Sequence, residues 1–273
     1  MKSLSITSGA LYDIDDIIYF LECPLKYHFY SQLKKLKLTP DVKKKLQDVV
    51  KQTAFHLYYR LLVDQAIPSF AYLADNFNNL WYPVRPPLKN LLPYLWGGYA
   101  DKQKYAVQGM ESLYEFYQHE KQKEQFVIAV NQDFVVEAGD VHLKGCFDLI
   151  REVDNILEVV LMVYNPPAKI NLERDIRLTA ISYAFHHLYK LPHVRLNLFS
   201  LQPIQEIYTT RNVNDYLFFN EVVARVVTSI QQASYYPRIS SECAECFFHF
   251  ACQLWPNLPP LAEIIKTKGA VKK

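Results

Sequence analysis

Apolar positions recur at helical spacing in the first half of the chain and at strand spacing in its middle. Between Asp13 and Leu33, Ile14, Ile17, Ile18, Leu21 and Leu25 fall three or four apart, which predicts one helix. Thr39-Pro40-Asp41 opens a second helix running to about Asp64, with Pro40 suited to its first turn. A shorter helix is predicted over 68–82. Pro83, Pro86 and Pro87 interrupt the chain, and a long helix follows from Tyr99 to Lys123, burying Tyr105, Met110, Leu113, Phe116 and Tyr117.

The pattern then changes. Phe126–Val136, Val141–Arg151 and Ile156–Tyr164 read as strands joined by turns at Gly139-Asp140 and Asp154-Asn155. The third is apolar enough to be central in a sheet, and Pro166-Pro167 ends it. A helix over Asp175–Tyr189, a strand over Val194–Gln202 with Ile207–Thr209 extending a hairpin, and a helix over Val213–Ala233 complete the pattern. The predicted class is α/β: a central mixed sheet flanked by helices, with a helical subregion over about 35–123 and a core over about 124–236. No internal repeat is present.

Composition narrows the class. Half of the 273 residues are hydrophobic and 21% are charged, which describes a globular chain and excludes a disordered one. A formal net charge of +2 gives no bulk attraction to nucleic acid. Locally, Lys34, Lys35, Lys37, Lys43, Lys44, Lys45 and Lys51 form a basic run, either a solvated helix face or a phosphate-facing patch. No stretch approaches the ~18–20 apolar residues of a membrane span. Asp13, Asp15 and Asp16 come too soon after Lys2 for a signal peptide. The expectation is a soluble intracellular protein of the cytoplasm, able to associate with the nucleoid, with no membrane partner.

The cysteines carry the sharpest chemistry. Cys23 precedes Pro24 near one end, and Cys243, Cys246 and Cys252 form a C-x2-C-x5-C group near the other. A zinc ribbon pairs two C-x2-C knuckles, so one early and three late suits it poorly. Four thiolates are the usual holding set for an iron–sulfur cluster. Packed thiols and disulfides are the plainer readings. Cys146 stands apart as a packed residue. An iron–sulfur cluster on Cys23 and the 240–256 segment would make 1–260 one folded unit, followed by a basic tail over 261–273.

Several segments, in order, resemble the RecB-type branch of the PD-(D/E)XK nuclease superfamily, especially its 4Fe-4S members, which include the AddB nuclease domain and the CRISPR-adaptation exonucleases. Ser5-Ile6-Thr7-Ser8 followed by Cys23-Pro24 and Lys26-Tyr27 resembles the opening helix and first cluster ligand. His56 stands at the place of a metal-binding histidine. Gly145-Cys146-Phe147-Asp148 resembles the G-x-x-D metal strand, Ile156–Asn165 the catalytic strand and Asp175–Ala180 the following helix. The late cysteines complete the set. The resemblance implies a restriction-endonuclease-like fold, a DNA substrate, and magnesium or manganese held by carboxylates with a lysine beside them.

The chain departs from that pattern at its centre. Val163 replaces the second acid, Asn165 the lysine, and Arg177 a glutamine. His56 and Asp148 remain, a thin shell for a hydrolytic metal; each also has a plainer reading, as a packed imidazole and as an acceptor for backbone N–H groups. Lys169 or Arg174 offers a lysine or arginine that has migrated. The resemblance therefore implies a catalytically degenerate relative, contacting DNA weakly and without sequence preference through the lysine run, or scaffolding beside a helicase or nuclease subunit in DNA repair, recombination or CRISPR-type processing. The alternatives are an active metal-dependent DNA nuclease with relocated groups, and a protein-interaction subunit without DNA affinity.

Overall fold

The structure is a computed structural model, described here for residues 10–35, 42–82, 99–166, 172–191 and 194–255. Its elements are β1 (Leu11–Asp13), α1 (Ile14–Glu22), α2 (Pro24–Lys35), α3 (Val42–Asp64), α4 (Phe70–Trp81), α5 (Tyr99–Glu120), β2 (Gln125–Ala138), β3 (Val141–Val153), β4 (Ile156–Val163), α6 (Ile176–Tyr189), β5 (Arg195–Leu201), β6 (Ile204–Thr209), α7 (Val213–Gln231) and α8 (His249–Gln253). Short 3-10 turns cover Leu172–Arg174 and Ser241–Glu245.

The predicted first helix is two helices. Cys23 between them is extended, at φ −163° and ψ 117°. Pro24 explains the break, because its ring disfavours the helical region for the residue before it. The apolar spacing runs on through the break, so periodicity alone does not reveal it. The start of the second helix at Pro40 lies outside the described residues, as do the N-terminal Ser5–Ser8 and the 261–273 tail.

The sheet is mixed and six-stranded, in the order β1-β3-β4-β5-β6 with β2 also on β3. One edge of β3 pairs antiparallel with β2 along nearly its whole length. The other edge is shared. β1 pairs parallel at His142–Lys144, and β4 pairs antiparallel at Leu149–Val153. β4 and β5 are parallel, and β6 returns antiparallel beside β5.

Alternation along the strands feeds two cores. Phe147, Ile150, Val159 and Leu198 pack with α1, α6 and α7, through residues such as Ile17, Leu178 and Phe219. Leu149, Val160, Met162 and Phe199 pack on the opposite face against Val50, Leu57, Trp81 and Phe116 of α3, α4 and α5. A third, small cluster joins Leu25, Phe29 and Leu33 of α2 to Phe248 of the cysteine-bearing segment. Gly145 is where β3 passes closest to its neighbours: an added Cβ would sit 2.7 Å from Phe134 Cζ and 2.8 Å from Ile14 Cδ1.

Charge is buried at the far end of the sheet. Arg151 and Glu158, each 0% exposed, face one another across β3 and β4. Arg151 Nε donates to Glu158 at 3.0 Å, and its Nη1 donates to Glu120 at 3.3 Å and to Gln125 at 2.9 Å. Lys123 bonds both Glu120 and Glu206, and Arg195 pairs with Glu158. Burial pushes the Glu120 carboxyl up, but the hydrogen bond from His119 and the charges of Lys123 and Arg151 overcome it and hold the carboxyl at about 2, against an ordinary 4.5.

Two outcomes are expected. Arg151→Met removes the guanidinium that Glu120 and Glu158 share, and should cost about 3–5 kcal/mol in urea denaturation. Glu120 binds protons less readily folded than unfolded, so its contribution is fully present above its ordinary value and is lost as pH falls towards about 2. Thermal stability should therefore fall between about pH 4.5 and 2, and Glu120→Gln should flatten that part of the profile.

Candidate functional site: an acid-lined cavity and a four-cysteine cavity

Helix α3 turns one face towards a cavity of about 740 Å³. Lys44, Gln47, Asp48, Lys51 and Phe55 line it at three- and four-residue steps. Asp148 and Cys146 of β3, Val163 at the end of β4, the following Asn165, and Arg177 of α6 line the same cavity. Thus four of the five positions singled out from the sequence, Asp148, Val163, Asn165 and Arg177, do meet. His56 is not among the lining residues. Five residues beyond Lys51, it is turned about 140° round the helix axis. Burial alone pushes its imidazole below the ordinary value.

Asp148 is 7% exposed and its bonding is specific. Its Oδ2 accepts the backbone N–H of Met162 at 2.8 Å, and the Lys51 ammonium lies 2.7 Å from the same oxygen. The acceptor reading of Asp148 thus holds for one bond, and a lysine supplies the other partner. Lys169 lies outside the described residues and Arg174 does not line the cavity, so the lysine that reaches the acid comes from α3 instead. Val163 on β4 carries no carboxylate, while Asp133 on β2 lines the same cavity. Glu158 is committed to Arg151 and Arg195, and Asp175 caps α6 by accepting the Leu178 N–H at 2.8 Å. Among the described residues, the one group of three imidazole or carboxylate ligands drawn within 4.8 Å is His119, Glu120 and Glu206, at the buried charge network. Arg177 instead approaches Asp15 at 3.9 Å.

Two more lysines of the run face carboxylates. Lys34 pairs with Asp13 and Asp16 at 3.2 Å each, and Lys44 with Asp48 at 3.1 Å. Burial, and then the charge of Lys102, lower the Lys45 ammonium against the pull of Asp48. Lys43 lines the second cavity. Lys37 and the side chain of Lys35 lie outside the described residues. Of the seven lysines of the run, Lys34, Lys44 and Lys51 face carboxylates.

The second cavity, about 830 Å³, lies between α2 and the C-terminal segment. Cys23, Cys243, Cys246 and Cys252 all line it. The break at Cys23 turns that residue out of the helical run. The C-terminal segment reaches it through Leu25, whose N–H donates to Tyr236 O at 3.1 Å. The N–H of Arg238 points at Cys23 Sγ at 3.4 Å, and the N–H of Ser240 at Cys243 Sγ at 3.4 Å. Burial and then the charges of Cys23, Cys243 and Cys246 push the Cys252 thiol up. No three of the four sulfurs fall within 4.8 Å of one another, whereas a single tetrahedral zinc, with Zn–S near 2.3 Å, would hold them closer. The two cavities adjoin, with Tyr19, Lys44 and Gln47 lining both.

No family model and no curated protein matches the chain. Among solved structures, it is similar to the crystal structure of SSO0001, at 10% identity and a TM-score of 0.37, over 91% of this chain and 89% of that one. It is also similar to protein VC1899 from Vibrio cholerae, at 11% identity and a TM-score of 0.23, over 72% and 58% of the two chains. Likenesses at this level carry no argument about function. No helix is long and apolar enough to cross a membrane among the described residues.

Cys146 offers a direct check on the first cavity. Burial, followed by the charges of Asp148 and Asp133, pushes its thiol up to about 12. Only the thiolate alkylates readily, and an ordinary thiol has a pKa of about 8.5. Cys146 should therefore react with iodoacetamide at pH 8 more slowly than a free cysteine, read by mass spectrometry of the folded protein. Asp148→Asn should speed that reaction.

Proposed function

We propose that the protein is a non-cleaving relative of the RecB-type nucleases, stapled by an iron–sulfur cluster, that contacts DNA or scaffolds a DNA-processing partner. One observation carries the reading: Oδ2 of Asp148, the carboxylate at the expected metal position, is taken up by Lys51 and the Met162 N–H. Phosphodiester hydrolysis needs a metal held by more than one hard oxygen ligand, and a positioned base or lysine. Here the residues beside Asp148 are apolar Val163 and neutral Asn165. With Lys51 seated on Asp148, and no group of three carboxylate or imidazole ligands gathered at this cavity among the described residues, the donor set does not fit a hydrolytic magnesium or manganese.

The shared cavity of the four cysteines supports the cluster reading. Cys23, Cys243, Cys246 and Cys252 would hold it, and the N–H groups of Arg238 and Ser240 are in place to donate to two of the sulfurs. Such N–H···S contacts lower the electron density on cluster thiolates and tune their potential. The bound group would supply a covalent closure between α2 and the C-terminal segment, in addition to the apolar contact of Phe29 with Phe248. Metal binding is then linked to folding.

Two other readings each have one observation in their favour. An active nuclease is favoured by Lys51, which brings a lysine to Asp148 from an unexpected helix. A protein-interaction subunit without DNA affinity is favoured by the ion pairs of Lys34, Lys44 and Lys51, which reduce the charge left for phosphates.

One set of assays separates the three. Purified protein with magnesium or manganese is incubated with labelled single- and double-stranded DNA, and filter binding is followed across a salt series. The expected outcome is no cleavage, with weak binding that falls steeply with salt. Asp148-dependent cleavage would decide for the active nuclease, and absence of binding at low salt for the interaction subunit. The cluster is tested separately. Protein purified without oxygen should absorb near 400 nm (about that wavelength for thiolate-ligated clusters), and Cys23→Ser should remove the band and lower solubility.

A further inference from the structure

We propose that the Lys51 ammonium is the resident cation of the Asp148 cavity and that, tethered there by α3, it keeps divalent metal out. The inference rests on the reading of that cavity as a lapsed metal site. Its argument is local.

The cavity needs a cation. Asp133 on β2 is paired directly with Cys146 on β3, and Asp148 lies two residues beyond Cys146. Directly paired residues share a face of a sheet, and Asp133, Cys146 and Asp148 all line the cavity. An almost fully buried carboxylate such as Asp148 is stable as an anion only beside a compensating charge.

Lys51 supplies that charge in place. It lies 2.7 Å from Asp148 Oδ2. Its Nζ is 5.7 Å from the centroid of the Phe55 ring, one turn further along α3, which adds a cation–π attraction. The tether gives the ammonium a high effective concentration at the carboxylate, which a free ion must match. A manganese or magnesium ion would also have to draw oxygen ligands from a wall where β4 offers Val163 and the chain beyond it Asn165. The lysine therefore accounts for a feature that loss of the second acid alone leaves unexplained: how the surviving aspartate is partnered where it is almost fully buried.

The test uses the full chain, without DNA, and manganese as the probe, with free Mn²⁺ read by electron paramagnetic resonance. Wild-type protein should take up no manganese through Asp148 up to on the order of 1 mM, the weak end of carboxylate sites. Lys51→Met should bind it at least tenfold more tightly than wild type, and adding Asp148→Asn should abolish the gain. Lys51→Arg, which keeps the charge, should behave as wild type. Should Lys51→Met fail to fold, Lys51→Gln keeps a hydrogen bond to the carboxylate and answers the same question.

Wild-type uptake removed by Asp148→Asn would overturn the proposal, and that arm needs no change at Lys51. A folded Lys51→Met or Lys51→Gln protein that gains no manganese affinity would overturn it too, leaving the pair as ordinary structural support. DNA cleavage without manganese uptake at Asp148 would sink the proposed function and leave this inference standing.

Discussion

Strand β3 has three partners, and both cavities depend on how its second edge is divided. Residues His142–Lys144 pair with β1 and Leu149–Val153 with β4. Between these two stretches lies the part of the strand that carries Gly145, Cys146 and Asp148. The division brings the start of the chain into the sheet and lets α1 leave from beside Gly145. That in turn sets the position of Cys23 at the end of α1. The close approach of Ile14 and Phe134 to Gly145 shows how little room the junction has.

Two buried charge groups sit at different places on this sheet and reach different results. At one end, Glu120, Glu158 and Glu206 face Arg151, Arg195 and Lys123, so acids and bases balance within a largely dry network. Such a group need not stabilise the fold relative to an apolar core, but removal of one member is costly. At the cavity, Asp148 has one cation and one N–H on a single oxygen, with open space beside it. The first arrangement closes on itself. The second leaves a charged wall facing a space large enough for a ligand.

The cysteine segment is fastened more lightly than the sheet. Phe248 against Phe29 and Leu33, together with the Leu25–Tyr236 bond, holds it on α2. This is a small apolar contact for closing a loop of nearly the whole chain, and loop closure of that length costs entropy. A group binding all four thiolates would offset that cost. Because Tyr19, Lys44 and Gln47 form a wall common to both cavities, the packing of this closure also bears on the shape of the Asp148 cavity.

Much of the element order was legible from residues alone. The strands over 125–138, 141–153 and 156–163 are rich in apolar and β-branched residues and are joined by Gly-Asp and Asp-Asn turns, which is what the sequence showed. The types and spacing of the four cysteines, and the apolar and neutral residues at Val163 and Asn165, are likewise properties of the sequence. Other features depend on partners far along the chain. β1 is too short to show a period and exists because β3 pairs with it. The break at Cys23 is masked by an apolar spacing that continues across it. His56 matched a motif position but faces away from the cavity, since a helix sets direction by its 100° step. Lys51 read as one of a run of cations, and only the packing of α3 on the sheet chose its carboxylate. Local patterns fix which backbone each segment prefers, whereas the meeting of Lys51 with Asp148, and of Cys23 with the late cysteines, follows from long-range burial that no window of sequence contains.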